Sequence, residues 1–186
     1  MQPLLLHRIQ FENDELAFRE FYEANVFRLF QFAFTFVQNR ELSEEIVNDV
    51  FVKLWHGRDR IDEIENISVY LYVAVKNTAV NYLRQSKSRM DSDLGKQAVH
   101  HFYLSPDPEQ LLVTDELRRR IEAAIEGLPP RCKLIFKLVK EDGLSAAEVA
   151  AILAISYKTV TTQLSIALRK LEEVLKPTLE QRRMKV

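Results

Sequence analysis

The chain has 186 residues, with 26 basic against 27 acidic side chains and a formal net charge of −1, so its overall charge gives no reason to expect a nucleic-acid ligand. Its four glycines are about a third of the usual frequency of about 7%, which excludes most strand-and-turn folds and predicts an all-α chain. A single cysteine, Cys132, excludes an intramolecular disulfide and fits a reducing compartment; with no apolar run approaching about eighteen residues and no signal-like start, the expected location is cytoplasmic.

In chain order, Phe18, Tyr22, Val26, Phe30, Ala33 and Val37 recur every three or four residues and predict a long buried helix from Leu16 to Val37. Ser43, followed by Glu44 and Glu45, reads as the N-cap of a second helix with acids in its first turn. The stripe of that helix is Leu42, Ile46, Val50 and Leu54, broadened by Val47, Phe51 and Trp55. Gly57 ends it, and a polar loop runs to Asn66. Ser68 is the expected cap of a third helix, with Leu71, Val75, Thr78, Ala79, Tyr82 and Leu83 on its stripe.

Between Ser86 and Asp107 the hydrophobic period disappears, and Ser105-Pro106-Asp107-Pro108 has linker composition. The expected architecture is therefore two small helical domains, 1–90 and 108–186, joined by a flexible linker over 91–107. The second domain opens with a helix from Pro108 to Glu126 carrying Leu111, Leu112, Leu117, Ile121 and Ile125, stopped by Gly127 and Pro129-Pro130. Arg131 to Glu141 supplies another, with Leu134, Ile135, Leu138 and Val139 inward. Asp142-Gly143 turns the chain. Ser145 and Glu148 then have capping-box spacing ahead of Val149, Ile152 and Leu153, and after Ala154-Ile155 a last helix, capped by Ser156, aligns Val160, Leu164, Ala167, Leu168 and Leu171. This final pair has the form of a helix-turn-helix, although an ordinary helical hairpin would share its outline.

Charge is segregated along this plan. Asn66 to Met90 holds four basic residues (Lys76, Arg84, Lys87, Arg89) and no acid, and Val149 to Leu171 holds three (Lys158, Arg169, Lys170) and again no acid. Acids crowd instead at Glu41, Glu44, Glu45 and Asp49, then at Asp59, Asp62, Glu63 and Glu65. Such an arrangement leaves two local positive surfaces that phosphates can feel, against the plainer reading of two solvated helix faces. The histidines His7, His56, His100 and His101 form no metal-ligand spacing and the chain has no glycine-rich phosphate loop, so neither catalysis nor a metal or cofactor is expected.

Four ordered pieces carry a family resemblance: Leu42-Ser-Glu-Glu-Ile-Val-Asn-Asp-Val-Phe-Val-Lys-Leu-Trp55; Tyr70-Leu-Tyr72 with Asn77 and Asn81-Tyr-Leu-Arg84; the Leu128-Pro-Pro-Arg-Cys132 junction; and Gly143-Leu-Ser through Leu171. Over Leu16 to Lys176 the chain resembles the extracytoplasmic-function (ECF) sigma factors, particularly the short kind of Bacteroides relatives. That resemblance implies a region two that grips core RNA polymerase and opens the minus-ten promoter element, and a region four that reads the minus-thirty-five element. It implies clamp coiled-coil contacts by Glu45, Asn48, Asp49 and Lys53, with a second polymerase contact at the flap. It implies minus-ten contacts by Tyr70, Lys76, Asn77, Asn81 and Arg84, with the Gly57 to Asn66 loop shaping a pocket for a flipped base. For the upstream element it implies Ser156, Lys158, Thr159, Thr161, Thr162, Gln163, Ser165 and Ile166. A membrane-anchored anti-sigma factor is the further partner it implies.

The chain departs from the family pattern at Val73, where a basic residue is usual, and at Ala154, where glycine is usual. The outward face of the last helix is expected to lack arginine, leaving hydroxyl, amide and apolar contacts in place of a bidentate arginine on guanine. The alternative reading is a helix-turn-helix regulator that binds duplex DNA as a dimer without polymerase, its first half serving dimerisation.

Overall fold

The computed structural model describes residues 2–90 and 112–183. Among them the backbone is helical with no strand, and it divides into two compact units. The first contains α1 (Gln2–Phe11), α2 (Glu15–Val37), α3 (Arg40–His56), a 3-10 turn (Arg58–Glu63) and α4 (Ile67–Met90). The second contains α5 (Leu112–Glu126), α6 (Pro130–Lys140), α7 (Ala146–Leu153) and α8 (Tyr157–Arg183). The expected linker and the expected helix start at Pro108 lie outside the described residues. No single described helix is long and apolar enough to cross a membrane.

In the first unit α2 is the hub, packed against α1, α3 and α4. Asp14 caps it by accepting from the backbone N–H groups of Leu16 and Ala17, and Arg8 of α1 closes on the same carboxylate at 2.6 Å. Those donors, Ala17 N–H first and the Arg8 guanidinium next, hold the Asp14 carboxyl below its usual range. The buried line of α2 is Ala17, Phe21, Leu29, Phe32 and Ala33; of the expected stripe Ala33 is buried, whereas Phe18, Tyr22, Val26, Phe30 and Val37 are only half-buried because the line has shifted by one residue. Neighbours on several sides explain the shift. Phe18 and Tyr22, only half-buried, lie instead against Trp55 and Phe51 of α3, with ring centroids 4.9 and 4.8 Å apart. Asn25 is also buried, where its amide donates to the Phe21 carbonyl at 2.6 Å and accepts from Arg28.

Two expected caps move. α3 starts at Arg40, capped by Asn39, whose Oδ1 accepts from Leu42 N–H at 2.8 Å; Ser43 is buried inside the first turn and donates its hydroxyl back to the Asn39 carbonyl at 2.6 Å. Likewise Asn66 Oδ1 accepts from Val69 N–H at 3.0 Å at the start of α4, so Ser68 is already helical. In both places an asparagine upstream of the serine, four residues before Ser43 and two before Ser68, caps the helix by accepting from a first-turn N–H group. The core they enclose is Ile46, Val47, Val50, Phe51 and Leu54 against Leu71, Tyr72, Val75 and Ala79. Each large side chain there contributes about 1.5–3 kcal/mol by leaving water.

In the second unit α5, α6 and α7 all pack on α8. Leu128, Cys132, Phe136, Ala167 and Leu171 form one cluster, and Ile135, Leu138, Leu144, Val149, Ile152 and Val160 are also buried. Expected core positions Leu134, Val139, Leu153 and Leu164 are only half-buried, and Leu168 is exposed. Gly143 sits at φ 73°, a conformation that disfavours any Cβ, and lets Leu144 N–H return to the Leu138 carbonyl at 3.0 Å.

Candidate functional site

The outward side of α3 is set by its buried side. With Ile46, Val47, Val50, Phe51 and Leu54 inward, Glu45, Asn48 and Lys53 are exposed and Asp49 half-exposed, so these residues share a single surface. Two are held by tyrosines from flanking helices. Tyr82 of α4 donates to Glu45 Oε1 at 2.7 Å, and Tyr22 of α2 donates to Asn48 Oδ1 at 2.9 Å. The Glu45 hydrogen bond, helped by burial, raises the Tyr82 hydroxyl pKa above its usual value, so it remains a donor at neutral pH. Asp49 and Lys53 line a polar groove of about 460 Å³ with Thr78, Asn81, Tyr82 and Gln85.

On α4, Tyr70, Asn77, Asn81 and Arg84 are exposed at spacings of seven, four and three, which puts them on one side of the helix. Arg84 Nη2 donates to Asn81 Oδ1 at 3.2 Å. Lys76 is half-buried beside them. Tyr72 is fully buried with its ring edge-on to Phe32 at 4.9 Å, which makes it a core residue. The 3-10 turn before α4 is tethered rather than loose. Gln10 Nε2 of α1 donates to the Asp59 carbonyl at 2.9 Å and to Asp62 Oδ1 at 2.7 Å. Arg58 donates to Asn13 Oδ1 at 2.7 Å while its guanidinium lies 4.4 Å over the Trp55 ring.

The helix-turn-helix has the expected caps. Ser145 N–H donates to Glu148 Oε2 at 2.7 Å and Glu148 N–H donates to Ser145 Oγ at 3.2 Å, closing the capping box of α7. Ala154 then adopts the left-handed conformation, φ 55° and ψ 47°, and Ile155 N–H reaches the Ala150 carbonyl at 3.0 Å. This is the Schellman ending that glycine normally supplies. Ser156 Oγ accepts from Thr159 N–H at 3.0 Å and meets Thr159 Oγ1 at 2.8 Å, so these two hydroxyls chiefly organise the start of α8.

Along α8 the expected reading face needs correction. Gln163 is half-buried and accepts a hydrogen bond from the buried Cys132 thiol at 2.9 Å, while Ile166 packs on the Leu128–Phe136–Leu171 cluster. A helix turns about 100° per residue, so Gln163 projects about 60° from Val160, inside the apolar sector. The outward stripe is Lys158, Thr162, Ser165 and Arg169, all exposed, with Thr161 at its edge. An arginine therefore does stand on this face, three turns along. Sequence reading missed it because Ser156 to Ile166 was treated as one surface; angular projection from the buried Val160 was the available signal.

Comparison with known proteins assigns this arrangement. The family model "Sigma-70 region 2" matches residues 21–89, and "Sigma-70, region 4" matches 118–171. The chain belongs to the sigma-70 family. Within it the ECF group is indicated by curated relatives. The ECF RNA polymerase sigma-E factor of Escherichia coli is 28% identical over 140 residues, 72% of this chain and 73% of that protein. The ECF RNA polymerase sigma factor SigK of Mycobacterium bovis is 23% identical over 92% of this chain and 91% of its own.

Solved sigma factors share the fold. The RpoE structure from Bartonella quintana, in complex with the anti-sigma factor NepR, superposes with a TM-score of 0.61 at 20% identity, covering 86% of this chain and 96% of that one. CnrH in complex with the cytosolic domain of CnrY gives a TM-score of 0.55 at 20% identity, covering 94% and 96%. The region 2 match takes in α3 and α4 entirely up to residue 89, and the region 4 match takes in α6, α7 and the outward stripe of α8. The first unit is thus accounted for without a dimerisation role.

Proposed function

We infer that this chain is an ECF sigma factor that binds core RNA polymerase and directs promoter-specific initiation of transcription. The observation that carries this reading is the ordered pair of family matches, 21–89 and 118–171, each falling on its own compact unit. In this reading residues 1–90 act as region two and 108–186 as region four. It acts in the cytoplasm, where core polymerase is, and is not itself an enzyme. Core polymerase is gripped at its clamp coiled coil by Glu45, Asn48, Asp49 and Lys53, and at its flap by the second unit.

Tyr70, Asn77, Asn81 and Arg84, with Lys76 beside them, face the minus-ten element. Amides and an aromatic ring on an acid-free helix suit bases that have left the stack, because each base offers a hydrogen-bonding edge and a π face. On α8, Lys158 and the free N–H groups of the first turn meet a phosphate, Thr162, Ser165 and Thr161 lie toward base edges, and Arg169 adds a second cation. An anti-sigma factor anchored in the membrane is the regulatory partner this class of protein would take; the complex of RpoE with the anti-sigma factor NepR supports an anti-sigma partner.

In vitro transcription with purified core polymerase and a genomic promoter library tests the reading. Transcripts that depend on this chain and start at a common set of promoters are expected. Protein that neither comigrates with core polymerase nor yields any transcript overturns it.

A further inference from the structure

Two side chains of the outward α3 surface do not point freely into solvent. Glu45 and Asn48 are each held through one acceptor oxygen by a tyrosine hydroxyl, Tyr82 from α4 on one side and Tyr22 from α2 on the other. The tyrosines are themselves placed by packing. The Tyr22 ring sits edge-on to Phe51 with centroids 4.8 Å apart, one turn along α3 from Asn48, and Tyr82 is half-buried over the groove that Asp49 and Lys53 line. Each bond leaves the rest of its acceptor group available. With one bond made to Oδ1 of the exposed Asn48, its amide N–H groups remain donors, and with one bond made to Oε1 of Glu45, Oε2 still accepts.

We propose that Tyr22 and Tyr82 are positioning residues for polymerase binding, which hold Asn48 and Glu45 in their docking geometry before the polymerase arrives. The proposal rests on the reading of α3 as the polymerase-facing helix. An unrestrained glutamate or asparagine must be ordered when a complex forms, and this ordering weakens binding; a hydrogen bond already made in the free protein removes that penalty. Tyr82 extends the effect to α4, since it follows Asn81, so the helix that faces the minus-ten element is tied directly to the polymerase face.

The test is the affinity of the fluorescently labelled full chain for reconstituted core RNA polymerase, measured by anisotropy, with circular dichroism to check folding. Tyr→Phe keeps each ring and its packing and removes only the hydroxyl. Tyr82→Phe and Tyr22→Phe are each expected to weaken binding about fivefold, the scale of one lost hydrogen bond. The double variants Tyr82→Phe/Glu45→Ala and Tyr22→Phe/Asn48→Ala should bind no more weakly than Glu45→Ala and Asn48→Ala alone, because the hydroxyl acts only through its acceptor. A merely structural tyrosine would lower thermal stability without this non-additivity. If the alanine variants weaken binding but the phenylalanine variants bind as wild type, or the losses add, the positioning role is wrong while the α3 reading stands. If Glu45→Ala and Asn48→Ala both bind as wild type, that reading falls and the proposal with it.

Discussion

Glu45 and Asn48 in the first unit are bonded across helices, to Tyr82 and Tyr22, whereas the hydroxyls along the outward side of α8 bond only within their own helix, Thr161 to the Lys158 carbonyl and Ser165 to the Thr161 carbonyl. The cores differ in parallel. Phe21, Phe32, Phe51 and Tyr72 are buried in the first unit, and Phe136 is the buried aromatic among the described residues of the second. The difference matches the two tasks assigned above. Duplex DNA presents a regular groove, so one well-capped helix suffices to dock against it. A protein surface and an opened strand present no such regular partner, and side chains that meet them gain from being fixed by their neighbours.

The largest effect that can break this comparison lies in the first core. Tyr72→Ala is expected to destabilise the first unit by about 3–5 kcal/mol, as for other large-to-small aromatic core changes, while Tyr70→Ala, two residues away but exposed, stays within about 0.5 kcal/mol of wild type. Urea unfolding of the two variants separates the roles. Equal losses would move Tyr70 into the core. Next, Asn77→Ala is expected to cost about 1–3 kcal/mol in open-complex formation, on the scale of a base contact, with little change in initial promoter binding. Permanganate reactivity at matched occupancy reads this directly; unchanged thymine reactivity would remove Asn77 from the strand-facing set.

For the second unit the expected effects are smaller and divide by face. Lys158→Ala and Arg169→Ala should each lower the salt slope of promoter binding by about one unit and weaken all promoters alike. Thr162→Ala should instead alter preference among minus-thirty-five sequences, and Gln163→Ala should leave that preference intact and lower stability, since its partner is Cys132 in the core. A randomised-promoter selection in which Gln163→Ala shifts the consensus would restore Gln163 to the reading face. Smallest is Ala154→Gly, expected to stabilise the second unit by about 1 kcal/mol by relieving the left-handed alanine, as thermal unfolding would show.

The helix-turn-helix was legible in the sequence because its signals are local: Ser145 with Glu148, Ser156 before an acid-free run, and Ala154 in a glycine's place all act within a few residues. α2 was harder to read in register. Its apolar residues surround the helix, so periodicity identifies the helix without saying which aromatic faces inward, and contacts with α1, α3 and α4 decide. Ser43 and Ser68 failed as caps for a related reason, since Asn39 and Asn66 are equally able caps and the ends were settled by where the chain enters the core. α1 escaped notice because only Leu5 and Ile9 turn inward, too short a pattern to stand out. The tyrosine bonds to Glu45 and Asn48 join residues 37 and 26 positions apart, and no local pattern reports such a pairing.

The seclusion of Cys132 has a practical corollary. The residue is only 3% exposed and its thiol is already engaged with Gln163, so in the folded protein it should be silent toward maleimide reagents. A cysteine introduced at exposed Thr162 could then carry a dye selectively with the native thiol left in place. Conversely, the rate at which Cys132 becomes alkylated in the unaltered chain is a clock for opening of the second unit alone, because the first unit's described residues contain no thiol to compete.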